Sequence, residues 1–497
     1  MQSYTTIIIS LLVFWLGFEA FAQNPKREMR GVWVATVKNL DWPSKTGLTT
    51  EQQKKEIDAI IDHVKELGMN AVFLQVRPAA DAFFASSVEP WSKYLTGTEG
   101  KAPRPFYDPL KYWIEKAGEK GIDVHAWINP FRVTARAGEE LSARHLLAKH
   151  PDWIVEYNGK LCLDPGIPDV RKYIRDIVRD IVEKYDVAGI HMDDYFYPYP
   201  VNGVDFPDTM SYRLFCDTTR YPDKNAWRRD NVNRIVGSLH KTVKSVKPWV
   251  SFGISPFGVW RNSDKDPAGS DTRAGITNYD MLHADVLTWL ENGWVDYIVP
   301  QIYWYMEHPA AGFRILSEWW NENSNGIPVY AGMSIYKINS GKEAWANPGE
   351  IPDQIRAVRG LDSFEGQVFF RYGFLKQDLL GLQDSLRYKF YSTIALTPVV
   401  KGNVDIRPIG IKRVKASRKK LKWKVDKADE KNIKYFVVYS YPADEMFDPD
   451  NPKWIHTVTK AKHLVLRNFT EDGVKRYYRV SAVDKFGNEG GISKAVD

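Results

Sequence analysis

Cysteine is scarce in this 497-residue chain, which contains only Cys162 and Cys216. Two cysteines are too few for a disulfide scaffold, and the sequence leaves open whether they pair.

No Gly-rich phosphate loop is present, which argues against a nucleotide enzyme, and we expect no nucleic-acid partner. Only His125 and His191 lie near predicted strand ends, and the first strand has no His-x-His pair, so a metal-dependent hydrolase is disfavoured. We therefore expect no metal and no other cofactor.

Long apolar runs are also scarce, and the one that stands out lies at the N-terminus. Residues 7–17 have the length of a signal-peptide core and are too short for a stable bilayer anchor. An A-x-A cleavage site follows at residues 20–22, although residues 1–6 contain no Lys or Arg. We predict a signal peptide over residues 1–22 and no membrane span in the mature chain. An uncleaved anchor is the alternative. The expected location is the periplasm or the extracellular space, where the protein could associate with the cell envelope.

The following residues alternate short apolar runs with helical patterns, a rhythm that predicts a parallel sheet. Eight such runs occur, the number that closes a (β/α)8 barrel, also called a TIM barrel. We place this α/β barrel at residues 26–398. The predicted strands are residues 29–37, 70–78, 123–131, 187–198, 249–258, 295–304, 327–336 and 367–374.

Helix signals between these runs agree with the alternation. Thr49 or Thr50 can cap a helix that extends to Leu67, with its apolar residues on one face. Pro168 is suited to open a second helix, whose apolar stripe would face the barrel.

Residues 400–497 show no long helix and instead alternate short strand patterns with turn clusters, which predicts a small all-β sandwich. Trp423 and the late segment 478–484 resemble core strands of a fibronectin type III domain. Residues 401–497 contain 22 Lys and Arg against 13 Asp and Glu, or +9, while the whole chain is +6. This excess suits an anionic surface or polymer; ordinary solubilising charge is the alternative.

The fourth predicted strand ends in the richest group of polar residues. Side chains alternate along a strand, so His191 and Asp193 should point into the barrel mouth, while Asp194 turns toward the rim or the next loop. Adjacent carboxylates raise each other's pKa and both need hydrogen bonds, which favours a catalytic role. A structural pair that caps the next loop is the alternative.

Polar and aromatic residues follow the other strands as well, and active sites of such barrels lie at the C-terminal strand ends. This mixture suits polyhydroxylated rings, because flat side chains stack on a sugar and polar side chains bind its hydroxyls. For His191 a hydrogen-bonded interior position is the alternative. The candidate sugar-binding residues are Asp41, Trp42, Arg77, His125, Asn129, Asp164, His191, Tyr195, Trp260, Gln301 and Tyr303.

Four segments carry a specific resemblance: residues 30–34 (RGVWV), 163–171 (LDPGIPDVR), 188–198 (AGIHMDDYFYP) and 300–304 (PQIYW). In this order they resemble the glycosyl-hydrolase-like 10 family of bacterial envelope proteins. The resemblance covers about residues 26–380. It implies a (β/α)8 barrel, export, and action on bacterial cell-wall glycan (peptidoglycan) or a related polysaccharide. Many relatives are lipoproteins, and this chain lacks the cysteine for that anchor.

Most glycosidases use two carboxyl groups. By analogy with other barrel glycosidases, Asp193 is our first candidate, as nucleophile or electrostatic stabiliser, with Asp194 as the alternative or as an orienting group. Glu307, just past strand six, is the candidate general acid. Asp41, Asp81 and Asp164 are its rivals. A glycan-binding barrel without catalysis is the competing hypothesis.

Overall fold

The structure is a computed structural model that describes residues 24–136, 138–139, 141–400, 408–417, 419–466 and 474–497. The predicted signal peptide lies outside these residues. Eight parallel strands form a closed barrel in the order β1-β8-β7-β6-β5-β4-β3-β2, which confirms the predicted fold class. The strands are β1 Met29–Val34, β2 Ala71–Arg77, β3 Asp123–Ile128, β4 Gly189–Met192, β5 Ser251–Ile254, β6 Tyr297–Ile298, β7 Val329–Met333 and β8 Phe364–Phe369.

A main helix follows each strand and packs on the outside of the barrel. The first begins with a capping box, in which Thr49 and Gln52 each bind the other's backbone N–H. Its residues Ile57, Ile61 and Val64 are buried against the barrel. The helices are α1 Thr50–Glu66, α2 Pro109–Glu119, α3 Pro168–Lys184, α4 Lys224–Val246, α5 Val286–Glu291, α6 Phe313–Glu322, α7 Glu350–Arg359 and α8 Leu382–Ser385, which continues as one π turn, Leu386–Phe390.

Large rings fill the centre of the barrel because neighbouring strands carry glycine there. A Cβ at Gly253 would lie 2.2 Å from the ring of Tyr297, and one at Gly189 would lie 2.4 Å from the ring of His125. The two glycines therefore give these rings their space. This packing closes the barrel interior below its C-terminal mouth.

Several short elements were not predicted, since they are brief and carry little periodicity. The largest is a hairpin between β3 and α3, formed by Ile154–Tyr157 and Lys160–Leu163. Cys162 lies on it and is not bonded to Cys216. The short helices are Lys93–Thr96, Leu146–Lys149, Thr209–Phe215, Glu343–Ala346 and Tyr372–Leu375.

The C-terminal residues form two three-stranded antiparallel sheets, so a small β domain follows the barrel. One sheet has the order β9-β10-β13 and the other β12-β11-β14. Residues 435–441 of β11 are buried without interruption, since this strand is covered on both faces. The strands are β9 Arg413–Ser417, β10 Lys420–Lys424, β11 Ile433–Pro442, β12 Ile455–Thr459, β13 His463–Val465 and β14 Arg476–Asp484.

This β domain packs against the N-terminal end of the barrel, opposite the mouth. Lys434 on β11 forms an ion pair of 2.5 Å with Asp123, the first residue of β3. Phe486 meets the ring of Trp249 edge-on, and the Lys485 ammonium lies 4.8 Å from that ring's centre. A cavity of about 270 Å³ remains between the two parts. The β domain therefore covers the barrel's lower opening and leaves the mouth free.

Candidate active site

A cavity of about 460 Å³ lies at the C-terminal mouth of the barrel. Both Asp193 and Asp194 line it, and they are its only carboxylates among the residues that the structure describes. Aromatic rings form a large part of its walls. The other polar and aromatic lining residues are Trp33, Gln75, Trp127, Arg132, Tyr195, Tyr199, Ser255, Phe257, Gln301, Tyr303, Trp304, Tyr336, Lys337 and Phe370.

Strand β4 delivers the carboxylate pair. Its last ladder bond is donated by Ser255 N–H to the carbonyl of Met192, 2.7 Å away. Alternation directs Asp193 into the barrel. Asp194 follows after the ladder has ended and also turns toward the cavity, the first of the two directions, rim or next loop, that the sequence left open. Both side chains are almost completely buried.

Asp193 is held by two donors from the end of β3. The indole N–H of Trp127 lies 3.2 Å from Oδ2, and the side-chain amide of Asn129 donates to the same oxygen. From the described residues, the remaining oxygen, Oδ1, receives only a long contact of 3.4 Å, from the backbone N–H of Tyr195. Oδ1 is thus the oxygen available for chemistry.

A relay of amides fixes the orientation of Asn129. The backbone N–H groups of Thr36 and Val37 donate to Oε1 of Gln75, each at 2.9 Å. Gln75 must therefore donate with its Nε2, which lies 2.5 Å from Oδ1 of Asn129. That contact leaves the Asn129 N–H₂ to face Asp193. The relay connects the backbone after β1 to the catalytic candidate.

Asp194 has partners on the opposite side. The hydroxyl of Tyr199 donates to its Oδ2, and Gln301, beyond the end of β6, is a second side-chain donor. The pair is therefore splayed, with Asp193 anchored toward β3 and Asp194 toward β6.

Burial raises the pKa of both carboxyls. For Asp193 burial raises the pKa to about 7; the charge of Arg132 opposes this effect, and the charge of Asp194 adds to it. Burial likewise raises the pKa of Asp194, whereas the hydrogen bonds from Tyr199 and Gln301 lower it by a smaller amount. Near neutral pH the pair therefore holds a proton that an ordinary aspartate would have lost.

His191 and His125 lie below the cavity in a buried relay. The Trp33 indole, which can only donate, lies 3.2 Å from Nε2 of His191. Nδ1 of His191 is 3.3 Å from the hydroxyl of Tyr297, which is 3.0 Å from Nδ1 of His125. Burial lowers the pKa of His125 to about 4 and that of His191 well below its usual range. Both histidines are neutral interior residues, and neither lines the mouth cavity. For His191 this agrees with the alternative interpretation, a hydrogen-bonded interior position.

Three other sugar-binding candidates have protein partners away from the cavity. Trp42 is fully buried and donates to the carbonyl of Gln53 in α1 at 3.2 Å. Arg77 is fully buried in a two-pronged pair with Glu89, whose Oε1 is 2.7 Å from Nη2. Trp260 is 5% exposed and packs in the outer core against Trp319. All three side chains serve packing in this structure, and none lines the cavity.

The carboxylates considered for the general acid are engaged elsewhere. Glu307 is 70% exposed, forms an ion pair with Arg314 at 2.8 Å, and does not line the cavity. Asp41 accepts from the backbone N–H groups of Ala35 (2.8 Å) and Gly373 (2.7 Å) and pairs with Arg371. Its contacts hold the loop after β1 to the residues that follow β8.

Asp164 and Asp81 are likewise bound within the protein. Asp164 accepts the backbone N–H of Gly166 at 2.8 Å in the turn before α3. Asp81 accepts the backbone N–H of Ala79 at 2.9 Å, and burial raises its pKa to about 6. Neither side chain lines the mouth cavity.

Of the predicted residues, the cavity brings together Asp193, Asp194, Tyr195, Gln301 and Tyr303, with Asn129 directly behind Asp193. Further lining residues were not predicted from the sequence, chiefly Trp33, Tyr199, Lys337 and Phe370. Trp33 could have been found, because alternation along β1 places it inside the barrel. The other three lie beyond strand ends, where the local pattern does not specify direction.

In the described part of the chain, no group of three or more His, Cys, Asp or Glu side chains is arranged to hold a metal ion. None of the helices described there is both long and apolar enough to cross a membrane.

Comparison with known proteins identifies the family of this chain. Residues 28–347 match the model of the family described as glycosyl hydrolase-like 10. The chain belongs to that family. By family it is a glycoside hydrolase.

Two curated relatives are similar to this chain over most of their length. The protein named glycosyl hydrolase YngK from Bacillus subtilis is 39% identical, covering 98% of this chain and 97% of the relative. The protein named glycosyl hydrolase DigH from Escherichia coli K12 is 36% identical, covering 72% of this chain and 86% of the relative. The first similarity extends through the β domain, whereas the second covers only part of the chain.

Among solved structures, the glycoside hydrolase domain of PgaB (BpsB) from Bordetella bronchiseptica matches with a TM-score of 0.47 at 15% identity. The match covers 73% of this chain and 99% of that domain.

Proposed function

We propose that this protein is an exported enzyme that hydrolyses O-glycosidic bonds in bacterial cell-wall glycan. The observation that carries the proposal is the buried Asp193 and Asp194 pair at the barrel mouth, in a cavity walled by aromatic rings and amides. Such walls suit sugar rings, and a carboxyl that keeps its proton near neutral pH suits protonation of a leaving oxygen.

The choice of wall glycan rests on charge as well as on family resemblance. Two basic side chains, Arg132 and Lys337, line the cavity beside the acidic pair. A glycan whose sugars carry carboxylates, as peptidoglycan does, would find counter-charges there. The same feature favours glycan strands from which the stem peptides have been removed. The sugar carboxyl groups, which are otherwise bound to the peptides as amides, are then free and charged.

The proposed location rests on the N-terminal sequence and on the β domain. Four exposed cations, Arg413, Lys415, Lys422 and Lys424, form a basic face on the sheet β9-β10-β13. Arg413 lies directly opposite Lys424, and Lys415 directly opposite Lys422. Like charges in such positions destabilise a sheet, so their presence favours an anionic polymer as a partner. Binding to the envelope through this face would leave the barrel mouth free.

Binding of a glycan without catalysis is the alternative function. Two adjacent buried carboxylates disfavour it, because neutral amides would bind sugar hydroxyls without the cost of a buried charge.

The deciding experiment treats purified wall sacculi with the mature protein, before and after an amidase has removed the stem peptides. We expect soluble glycan fragments, mainly from peptide-free strands, separated by chromatography and identified by mass spectrometry. The Asp193→Asn and Asp194→Asn variants should release none. Tight binding by wild type without any fragment would favour the alternative.

A further inference from the structure

The distribution of carboxylates in the cavity limits the mechanism. Both come from consecutive residues at the end of β4, whose Cα atoms lie about 3.8 Å apart. The cavity residues described on β1 or just beyond β6, β7 and β8 include Trp33, Gln301, Tyr303, Tyr336 and Phe370, and none is acidic. A sugar in this cavity therefore meets carboxyl groups from one side only.

Hydrolysis of a glycosidic bond by two protein carboxyl groups needs a different arrangement. The acid approaches the leaving oxygen, and the nucleophile or base acts from the opposite face of the anomeric carbon. The other candidates cannot supply that second group, because Asp41 and Asp164 are bound to backbone N–H groups and Glu307 pairs with Arg314 at the surface.

We infer that the nucleophile is the substrate's own 2-acetamido oxygen, with Asp193 as the general acid and Asp194 as the carboxylate that receives the amide N–H. This inference rests on the proposed function, since it requires N-acetylated sugars, and it specifies how that site works. Glycosidases with such substrate assistance are a recognised exception to the two-carboxylate pattern. Here the sugar supplies the group that the described cavity residues lack.

The two roles follow from the contacts. Asp193 Oδ2 is occupied by Trp127 and Asn129, so Oδ1 can carry the acidic proton into the cavity. Each carboxyl accepts two side-chain donors, but the charge of Asp194 raises the pKa of Asp193, so Asp193 keeps the shared proton. The hydrogen bonds from Tyr199 and Gln301 favour the ionised form of Asp194, which can accept a further N–H from the substrate. One acid and one carboxylate are what the reaction needs.

The steps balance without a cofactor. In the first, the acetamido oxygen forms a bond to C1, the bond from C1 to the glycosidic oxygen breaks, and that oxygen takes the proton of Asp193. The product is an oxazolinium ion whose N–H is bound by Asp194. In the second, water attacks C1 and gives its proton to Asp193, and the bond from C1 to the acetamido oxygen breaks. The anomeric configuration is retained.

The test uses peptide-free glycan strands that are chemically de-N-acetylated and then re-acylated with acetyl, fluoroacetyl, difluoroacetyl or trifluoroacetyl groups. Fluorine weakens the amide oxygen as a nucleophile. We expect kcat of the full-length enzyme to fall steadily, by on the order of 10²-fold or more across the series. Free-amine strands should not be cleaved, and re-acetylated strands should be cleaved like native ones. Proton NMR should show retention.

Several outcomes would overturn the inference: a flat kcat series, cleavage of free-amine strands, or an inverted product. A second test treats the Asp194→Asn variant with azide. Formation of a glycosyl azide of inverted configuration would identify Asp194 as a covalent nucleophile and also overturn it; we expect none. If wild type cleaves no N-acetylated strand at all, the proposed function itself fails, and this inference fails with it.

Discussion

Asn129 donates a hydrogen bond from its side-chain amide to the carboxylate of Asp193. Its orientation is not free, because Gln75 donates to Oδ1 of Asn129 and is itself fixed by two backbone N–H groups. Asn129 was predicted as a sugar ligand, and the structure gives it a contact that orients Asp193, the acid in our proposal.

Removal of this contact should change the pH profile as well as the rate. A hydrogen bond to a carboxylate favours its ionised form, so Asn129→Ala should move the basic limb of kcat/KM to higher pH. The misplaced acid should also lower kcat by about 10²-fold. An unshifted profile would assign Asn129 to packing only.

Gln75→Glu tests the relay with an isosteric change. A glutamate can accept from Thr36 and Val37, but it can donate to Asn129 only while it is protonated. We therefore expect this variant to keep activity at acidic pH and to lose it as the pH rises, faster than wild type. Parallel profiles of kcat/KM for variant and wild type would show that the relay does not matter.

Asp193→Asn should abolish the chemistry and stabilise the fold. We expect kcat to fall by on the order of 10³-fold or more. Burial raises the pKa of Asp193 from 3.8 to about 7, so the folded state loses stability as pH rises through that interval, where the unfolded chain ionises first. One pKa unit corresponds to about 1.4 kcal/mol. The free energy of unfolding of the variant should therefore exceed that of wild type by on the order of 2–4 kcal/mol at pH 8 and by little at pH 4. Thermal melts at both pH values measure this difference; an equal gain at both would contradict it.

Glu307→Gln should leave the activity close to that of wild type. The side chain was predicted as the general acid, but it is exposed and pairs with Arg314 at the surface. Loss of such a pair costs about 0–1 kcal/mol. Kinetics on wall glycan over a pH range check this; a lost basic limb would restore Glu307 as the acid.

Lys434→Met should destabilise the protein by on the order of 2–4 kcal/mol, because it leaves Asp123 without its cation at the covered end of the barrel. The double variant with Asp123→Asn should recover most of that loss in thermal melts. If the double variant is as unstable as the single one, the lost packing of the lysine, not the charge, explains the effect.

Lys422→Glu should have opposite effects on stability and wall binding. It places an acid opposite Lys415, which should stabilise the sheet by about 0.2–1 kcal/mol. Retention on isolated walls should fall, most clearly at low salt, where charges are least screened. Lys111→Glu, an equal charge change on an exposed site of α2, is the control. Equal retention of the two variants on isolated walls would indicate that the charge of the β domain serves only solubility.

The sequence by itself determined the barrel and the existence of a β domain. Apolar periodicity and caps such as Thr49 act between residues a few positions apart, so they can be interpreted from local sequence. Strand alternation likewise predicted that Asp193 points into the barrel mouth, and the structure places it there. The rest of the site depended on contacts between distant strand ends.

Only the tertiary structure decided which side chains meet. Asp41, Trp42 and Glu307 all follow barrel strands, yet the loops direct them to Arg371, into the outer core and into solvent. A loop's path depends on what packs beneath it, and the local sequence does not encode that. For the same reason, it became visible only once all eight strand ends were in place that no described residue places a further carboxylate opposite Asp193 and Asp194.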